Sequence, residues 1–492
     1  MPRADEGSSL TQQLRHGEAL EAAGALDAAL DCYEACVRDH PASLDAHLAL
    51  ANALAQAWRV EDSIRAFHAA LSAAPDNTEV FSGLLLYSHY AAAPDASALY
   101  ALHRRYGHLV SEKTARQRPP VHPDPMDTER MLRIGYVSRN LSAHSVGYFI
   151  EPVVAAHDRS RHRVYCYYGH PASDDTTARI ARAADVWVPV HGMADDALAA
   201  RVREDRIDIL VDLEGHTKLN RLPVFARRAA PVQITWLGYP DTTGLDAIDY
   251  RITDATADPP PHAEARHSER LLRLDAPFLC YRPPADSPPV RPRGPGSAVV
   301  FGSCNVLLKV NPPLLALWAR ILEGVPDSRL LIKSSLLDNA EVAGRLLAQF
   351  RAAGIAPGRL DLRGWAADRV GHLGTYDGID IALDTFPYHG TTTTCEALWM
   401  GVPVVTQAGT LHMSRVGASL LRAAGLADLV ADNADDYANI AIALARDPAR
   451  RTALRGRMRE QLAASPLLDH RAFVGKLEAA YRQAWRRCCD RA

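Results

Sequence analysis

An α/β fold is predicted: two doubly wound parallel sheets in tandem, behind a short all-helical N-terminal region. Three observations point to it. Residues 10–75 repeat with a period of 34. From residue 128 short apolar strands alternate with helical segments, and the alternation restarts after a Pro/Gly linker, Pro283 to Gly296. Within the second half, Asp384 to Thr406 packs a loop, four consecutive threonines, a helix and a strand into one unit. A chain of 492 residues with 48% hydrophobic content can bury several cores. Its net charge of −3 gives no reason to expect nucleic acid or a membrane as partner. The eight cysteines are scattered without a CxxC pair, so neither a zinc site nor a disulfide framework is expected. Met1 to Gln13 is polar and no apolar run reaches membrane-spanning length, so the expected location is cytoplasmic.

The helical region is assigned to 8–117. Ala29 and Ser63, Tyr33 and Phe67, Cys36 and Ala70, and Pro41 and Pro75 are each 34 apart. Small residues flanking an aromatic, with a closing proline, suit two antiparallel helices that pack closely and then turn. The pattern resembles the tetratricopeptide repeat, with Ala51 where that repeat usually has Gly. Two repeats and a further helix, Thr78 to Tyr90, make a short array, either a structural cap or a groove for protein substrates. Pro119 to Asp127 reads as a hinge.

The first α/β domain, 128–285, is expected to hold strands at Met131–Ser138, Arg163–Tyr168, Ile207–Leu213 and Pro231–Gly238, with a helix at Asp195–Asp205. The second, 297–465, starts with strand Ala298–Phe301. Helix Pro313–Ile321, strand Arg329–Lys333, helix Asn339–Ala353 and strand Leu360–Arg363 follow, then strand Ile379–Leu383. A C-terminal helix within 466–490 is expected to pack back on the first domain.

After Leu383 the chain turns through a Pro/Gly loop into Thr391–Thr394 and a helix ending at Gly401. A helix N-terminus offers unpaired N–H groups and about half a positive charge, so it holds an anion without Lys or Arg. The threonine hydroxyls add donors, and Glu396 is placed to accept the hydroxyls of a ribose. The plainer reading is an ordinary βαβ unit whose threonines cap the helix.

Gly215-His216-Thr217, the run Pro231 to Gly244 and Asp249 to Asp254, together with the Asp384 segment, resemble the O-GlcNAc transferase and SPINDLY family over about 128–488. The resemblance implies protein O-glycosyltransferases with tetratricopeptide repeats before a GT-B catalytic region, whose two sheets face each other across a cleft. It places the diphosphate-binding lysine at Lys309 and a nucleotide-contacting histidine at His372. Thr392 and Thr393 correspond to phosphate contacts and Glu396 to the ribose-binding acid. Base reading falls near Arg363 to Arg369, which adds Arg369 to the donor set. His144 matches the active-site histidine, a base or a positioning group, with a donor phosphate oxygen as the alternative proton acceptor. Gly215, His216, Gly238, Tyr239 and Pro240 match walls of the acceptor and sugar pocket, where bare glycine backbone would let substrate approach. Thr391 and Glu396 stand where animal O-GlcNAc transferases have His and Asp, which is the SPINDLY form.

The chain contains no Asp-x-Asp motif, so no metal or other cofactor is expected and leaving-group charge falls to Lys309, the helix N-terminus and hydroxyls. The expected activity is inverting transfer of GlcNAc from UDP-GlcNAc to Ser or Thr of proteins that dock on the repeats and the cleft. GDP-fucose transfer, as in plant SPINDLY, is the alternative within the class. A sugar-nucleotide epimerase and a non-catalytic scaffold are the alternatives outside it.

Overall fold

The computed structural model describes residues 4–114, 127–275, 277–294 and 296–490. Except for Asp127, the expected hinge lies outside them. The helical region comprises α1 (Ala4–Ala22), α2 (Leu26–Asp39), α3 (Leu44–Gln56), α4 (Val60–Ala73), α5 (Thr78–Ser88) and α6 (Ala96–Thr114). The 34-residue period is a packing period. Ala29, Tyr33 and Cys36 of α2 and Ser63, Phe67 and Ala70 of α4 are all at most 3% exposed. Small neighbours admit the aromatics: a Cβ on Gly17 would sit 2.3 Å from the Tyr33 ring. Ser43 caps α3 and Asn77 caps α5, each accepting from backbone N–H groups of the first turn.

The chain folds as two compact units. The first holds a seven-stranded parallel sheet: β1 (Leu132–Ser138), β2 (His162–Tyr168), β3 (Val186–Pro189), β4 (Ile209–Asp212), β5 (Val232–Thr235), β6 (Tyr250–Asp254) and β7 (Arg270–Leu274). Their order is β3-β2-β1-β4-β5-β6-β7. Helix α7 (Ser145–Ala156) follows β1. Strands β3, β6 and β7 go beyond the four expected. β6 shows no alternation because all five of its residues are buried, Arg251 among them. The Arg251 guanidinium ends on the carbonyls of Tyr239 and Asp241. α6 belongs to this unit, with Gly107 against Gly244: a Cβ on Gly107 would lie 1.9 Å from the Gly244 oxygen. Helix His470–Cys489 packs here too, its Trp485 indole donating to the Asp127 carbonyl at 2.9 Å and Phe473 stacking on Trp236.

The second unit joins α1–α5 to a six-stranded parallel sheet. Its strands are β8 (Val300–Ser303), β9 (Arg329–Lys333), β10 (Leu360–Arg363), β11 (Ile381–Leu383), β12 (Val404–Gln407) and β13 (Val430–Ala431), in the order β10-β9-β8-β11-β12-β13. Polar contacts tie the repeats to it. Asn339 Nδ2 donates to the Gly24 carbonyl at 2.8 Å, Arg345 pairs with Asp27 at 2.7 Å, and the Trp58 indole donates to the Val310 carbonyl at 2.9 Å. Both sheets reverse strand order beside their first strand, between β1 and β4 and between β8 and β11. Ligands of open α/β sheets bind at the carboxyl ends of strands flanking such a reversal.

Candidate active site

In the second unit the reversal is flanked by the loops Cys304–Asn311 and Asp384–Thr391. Asp384, 2% exposed, organises the latter. Its carboxylate accepts from the N–H of Thr385 and Gly390 at 2.9 and 2.8 Å and from the Thr406 hydroxyl at 2.7 Å. That folds the loop back so that Lys309 Nζ donates to the His389 carbonyl at 2.7 Å and sits 3.9 Å from the Tyr388 ring centroid. Burial lowers the Lys309 pKa to about 8. Five lysines serve a chain with 55 basic residues, and two of them, Lys309 and Lys333, stand here. Lysine, unlike arginine, is a compact charge whose pKa responds to burial.

The helix Thr392–Trp399 begins with no side-chain cap from Thr391, which leaves its first N–H groups open. The capping role of the plainer reading is therefore not filled by Thr391. Thr393 Oγ1 donates to Asn305 Oδ1 at 2.8 Å and closes the floor between the two loops. Gly390 has no room for a Cβ, which would lie 2.3 Å from the Thr393 hydroxyl. Beside this floor the buried Ser303 hydroxyl lacks a protein partner.

His372 and Glu396, 24 residues apart, meet here. Lys333 Nζ lies 2.8 Å from His372 Nδ1, and His372 Nε2 lies 2.8 Å from Glu396 Oε2. An ammonium only donates, so the ring proton is on Nε2 and faces the carboxylate. Arg369 opens the short helix that carries His372, behind the Asp368 cap. Trp365, in the same loop, is 75% exposed with Lys333 Nζ 5.8 Å from its ring centroid. Sequence reasoning missed Lys333, Asn305 and Trp365. The available signal was a charged residue closing the apolar strand β9 at its carboxyl end.

In the first unit the reversal is flanked by Arg139–His144 and Leu213–Thr217. Glu214, 1% exposed, locks the two together. It accepts from the Ser138 hydroxyl, the Arg139 N–H at 3.0 Å, Asn140 Nδ2 at 2.8 Å and the Thr217 hydroxyl at 2.7 Å. Burial raises its pKa, and raises that of Asp212 beneath it to about 6. His144 caps α7, its Nδ1 accepting from the Val146 N–H at 3.2 Å, which leaves the ring proton on Nε2. Although the residue as a whole is exposed, the protein packed around its ring, with Arg139 adding, lowers its pKa below the ordinary histidine value. In this tautomer His144 presents a donor.

The pocket-wall residues are placed differently from expectation. Gly215 has φ +55°, and the space of its Cβ is filled by the Tyr239 side chain at 2.2 Å. At Gly238 that space is filled by the Leu213 carbonyl at 2.0 Å. Both glycines let these two loops pack on each other. His216 and Tyr239 are buried and turned toward α6: His216 Nε2 pairs with the Thr243 carbonyl at 2.9 Å, and the Tyr239 hydroxyl with His103 Nε2 at 2.9 Å. Pro240 lines a small cavity with Asp258, His262, Arg266 and His412.

A family model described as glycosyl transferase family 41 matches residues 94–281 and 291–477. A protein named probable UDP-N-acetylglucosamine–peptide N-acetylglucosaminyltransferase SPINDLY, from Petunia hybrida, is 42% identical over 422 residues, 85% of this chain and 45% of that protein. One of the same description named SEC, from Arabidopsis thaliana, is 31% identical over 390 residues, 76% of this chain and 39% of that protein. The chain thus spans less than half the length of these curated relatives. The solved structure of a Thermobaculum terrenum O-GlcNAc transferase mutant matches with a TM-score of 0.86 at 36% identity, covering 100% of this chain and 99% of that one. The architecture is accordingly that of the GT-B class, repeats followed by two parallel-sheet domains. With the family model covering both sheets and the loops at both strand-order reversals, the chain belongs to glycosyl transferase family 41.

Proposed function

We propose that this chain is an inverting, metal-independent protein O-glycosyltransferase that moves GlcNAc from UDP-GlcNAc to Ser or Thr side chains. The observation that carries the reading is the assembly of Lys309, the uncapped N-terminus of helix Thr392–Trp399 and the His372–Glu396 pair around one strand-order reversal. In the reaction the acceptor oxygen bonds to the anomeric carbon as the bond to the β-phosphate oxygen breaks, with inversion. The charge that develops on the diphosphate falls on the Lys309 ammonium and the helix N–H groups, which are in place before reaction. Glu396 accepts the ribose hydroxyls. His144, with its proton on Nε2, orients the donor or acceptor as a hydrogen-bond donor, and a donor phosphate oxygen takes the acceptor proton.

A guanosine donor is the second reading, favoured by Thr391 and Glu396, the form that resembles the SPINDLY branch. Calorimetric titration with UDP and GDP, beside turnover of UDP-GlcNAc and GDP-fucose with a Ser/Thr peptide library, separates the two. Tight UDP binding and GlcNAc transfer are expected. GDP binding without UDP binding would replace the donor, and turnover of neither donor in a protein that binds neither nucleotide would overturn the transferase reading.

A further inference from the structure

Lys309 is held from the repeat side of its own unit, by contacts that the chemistry above does not require. Its ammonium lies over the face of Tyr388, which stacks on Tyr90 with centroids 5.3 Å apart and 21° between planes. Tyr90 follows α5 and leans on Tyr87 at 6.1 Å, and Tyr87 stacks on Phe67 of α4 at 4.9 Å. Phe67 is the repeat's own buried aromatic, so the column begins at a position that the 34-residue period defines. The backbone is held as well, because the Trp58 indole donates to the carbonyl of Val310, the residue after Lys309. The repeat region therefore touches the side chain's partner through Tyr90, just after α5, and the main chain one residue past the lysine through Trp58, in the turn between α3 and α4.

We propose that Tyr388 and Tyr90 are positioning residues for Lys309, through which the repeat helices set the placement of the cation that faces the diphosphate. A ring face attracts an ammonium and favours its charged form, against the burial that disfavours it. An aliphatic side chain of similar size keeps the burial and removes the attraction. Packing alone would cost stability when the ring is lost, and would leave the titration of Lys309 where it is.

The inference rests on Lys309 as the diphosphate lysine, but its test reads the lysine directly. Because the chain has five lysines, 13Cε-lysine labelling yields few signals, and Lys309→Ala assigns the one in question. Tyr388→Leu is expected to lower the Lys309 pKa by about 0.5–1 unit, and Tyr90→Leu by about half as much. Tyr388→Phe, which keeps the ring, should titrate within about 0.2 units of the parent, inside the spread expected of a retained cation–π contact. The alkaline limb of kcat/KM should move with the NMR value. Unchanged or raised pKa values in Tyr388→Leu and Tyr90→Leu, with melting curves still cooperative, would overturn the proposal, as would Tyr388→Phe behaving like Tyr388→Leu. If Tyr388→Leu does not fold, Tyr90→Leu decides by the same criterion. A parent with normal titration but no turnover of any sugar nucleotide defeats the transferase reading and leaves this result standing.

Discussion

In the proposed reaction Lys309 meets two opposing demands: it is to be cationic when the diphosphate arrives, yet its surroundings lower its pKa to about 8. The free protein therefore loses the charge as pH rises through about 8, and kcat/KM is expected to fall over that range. A bound diphosphate stabilises the ammonium, so the limb in kcat lies at higher pH than the limb in kcat/KM. A flat kcat/KM profile from neutral to pH 10 would contradict this. Lys309→Ala removes one contact that strengthens in the transition state, worth about 3–4 kcal/mol, so turnover should fall by roughly a hundredfold or more. Steady-state turnover within threefold of the parent would remove Lys309 from the chemistry.

At the scale of elements, the candidate site gathers at the carboxyl ends of strands, from loops and the helices that follow them, and buried carboxylates shape the loops. Asp384 folds the loop after β11, and Glu214 joins the loops after β1 and β4. Glycines set how closely neighbouring pieces approach. α6 lies on the first sheet's Thr242–Leu245 loop because neither Gly107 nor Gly244 has a side chain there, and Gly244 itself has φ +77°. Gly107→Ala puts a methyl against a carbonyl oxygen, and overpacking of this kind costs about 1–3 kcal/mol. A lower melting temperature is expected, while nucleotide affinity, which the proposed function assigns to the other unit, stays near the parent value. A melting temperature equal to the parent's would show that α6 gives way at no cost.

For the whole molecule, the absence of Asp-x-Asp from the chain and the presence of Lys309 and an open helix N-terminus lead to one expectation about metal. Turnover should be insensitive to EDTA, since the proposed function gives the leaving charge to protein donors. Loss of turnover in EDTA that Mg²⁺ or Mn²⁺ restores would refute that account. Among the described residues no helix is long and apolar enough to cross a membrane.

The 34-residue period, the tandem α/β pattern and the Asp384–Thr406 unit were legible in the sequence, because each is a local regularity of side-chain spacing or turn chemistry. Strand β6 was not, since Arg251 and Asp254 interrupt its apolar run, and Arg251 is buried only because its guanidinium reaches carbonyls of another loop. The sequence also placed Lys309, His372 and Glu396 by motif, without saying what they touch. Only the tertiary structure decided that Lys333 stands behind His372, that Gly215 and Gly238 make room for protein, and that His144 presents a donor. Those outcomes depend on which loop ends meet across neighbouring strands. Neither local spacing nor propensity contains that information, because it is set by strand order and by which buried polar groups find their partners.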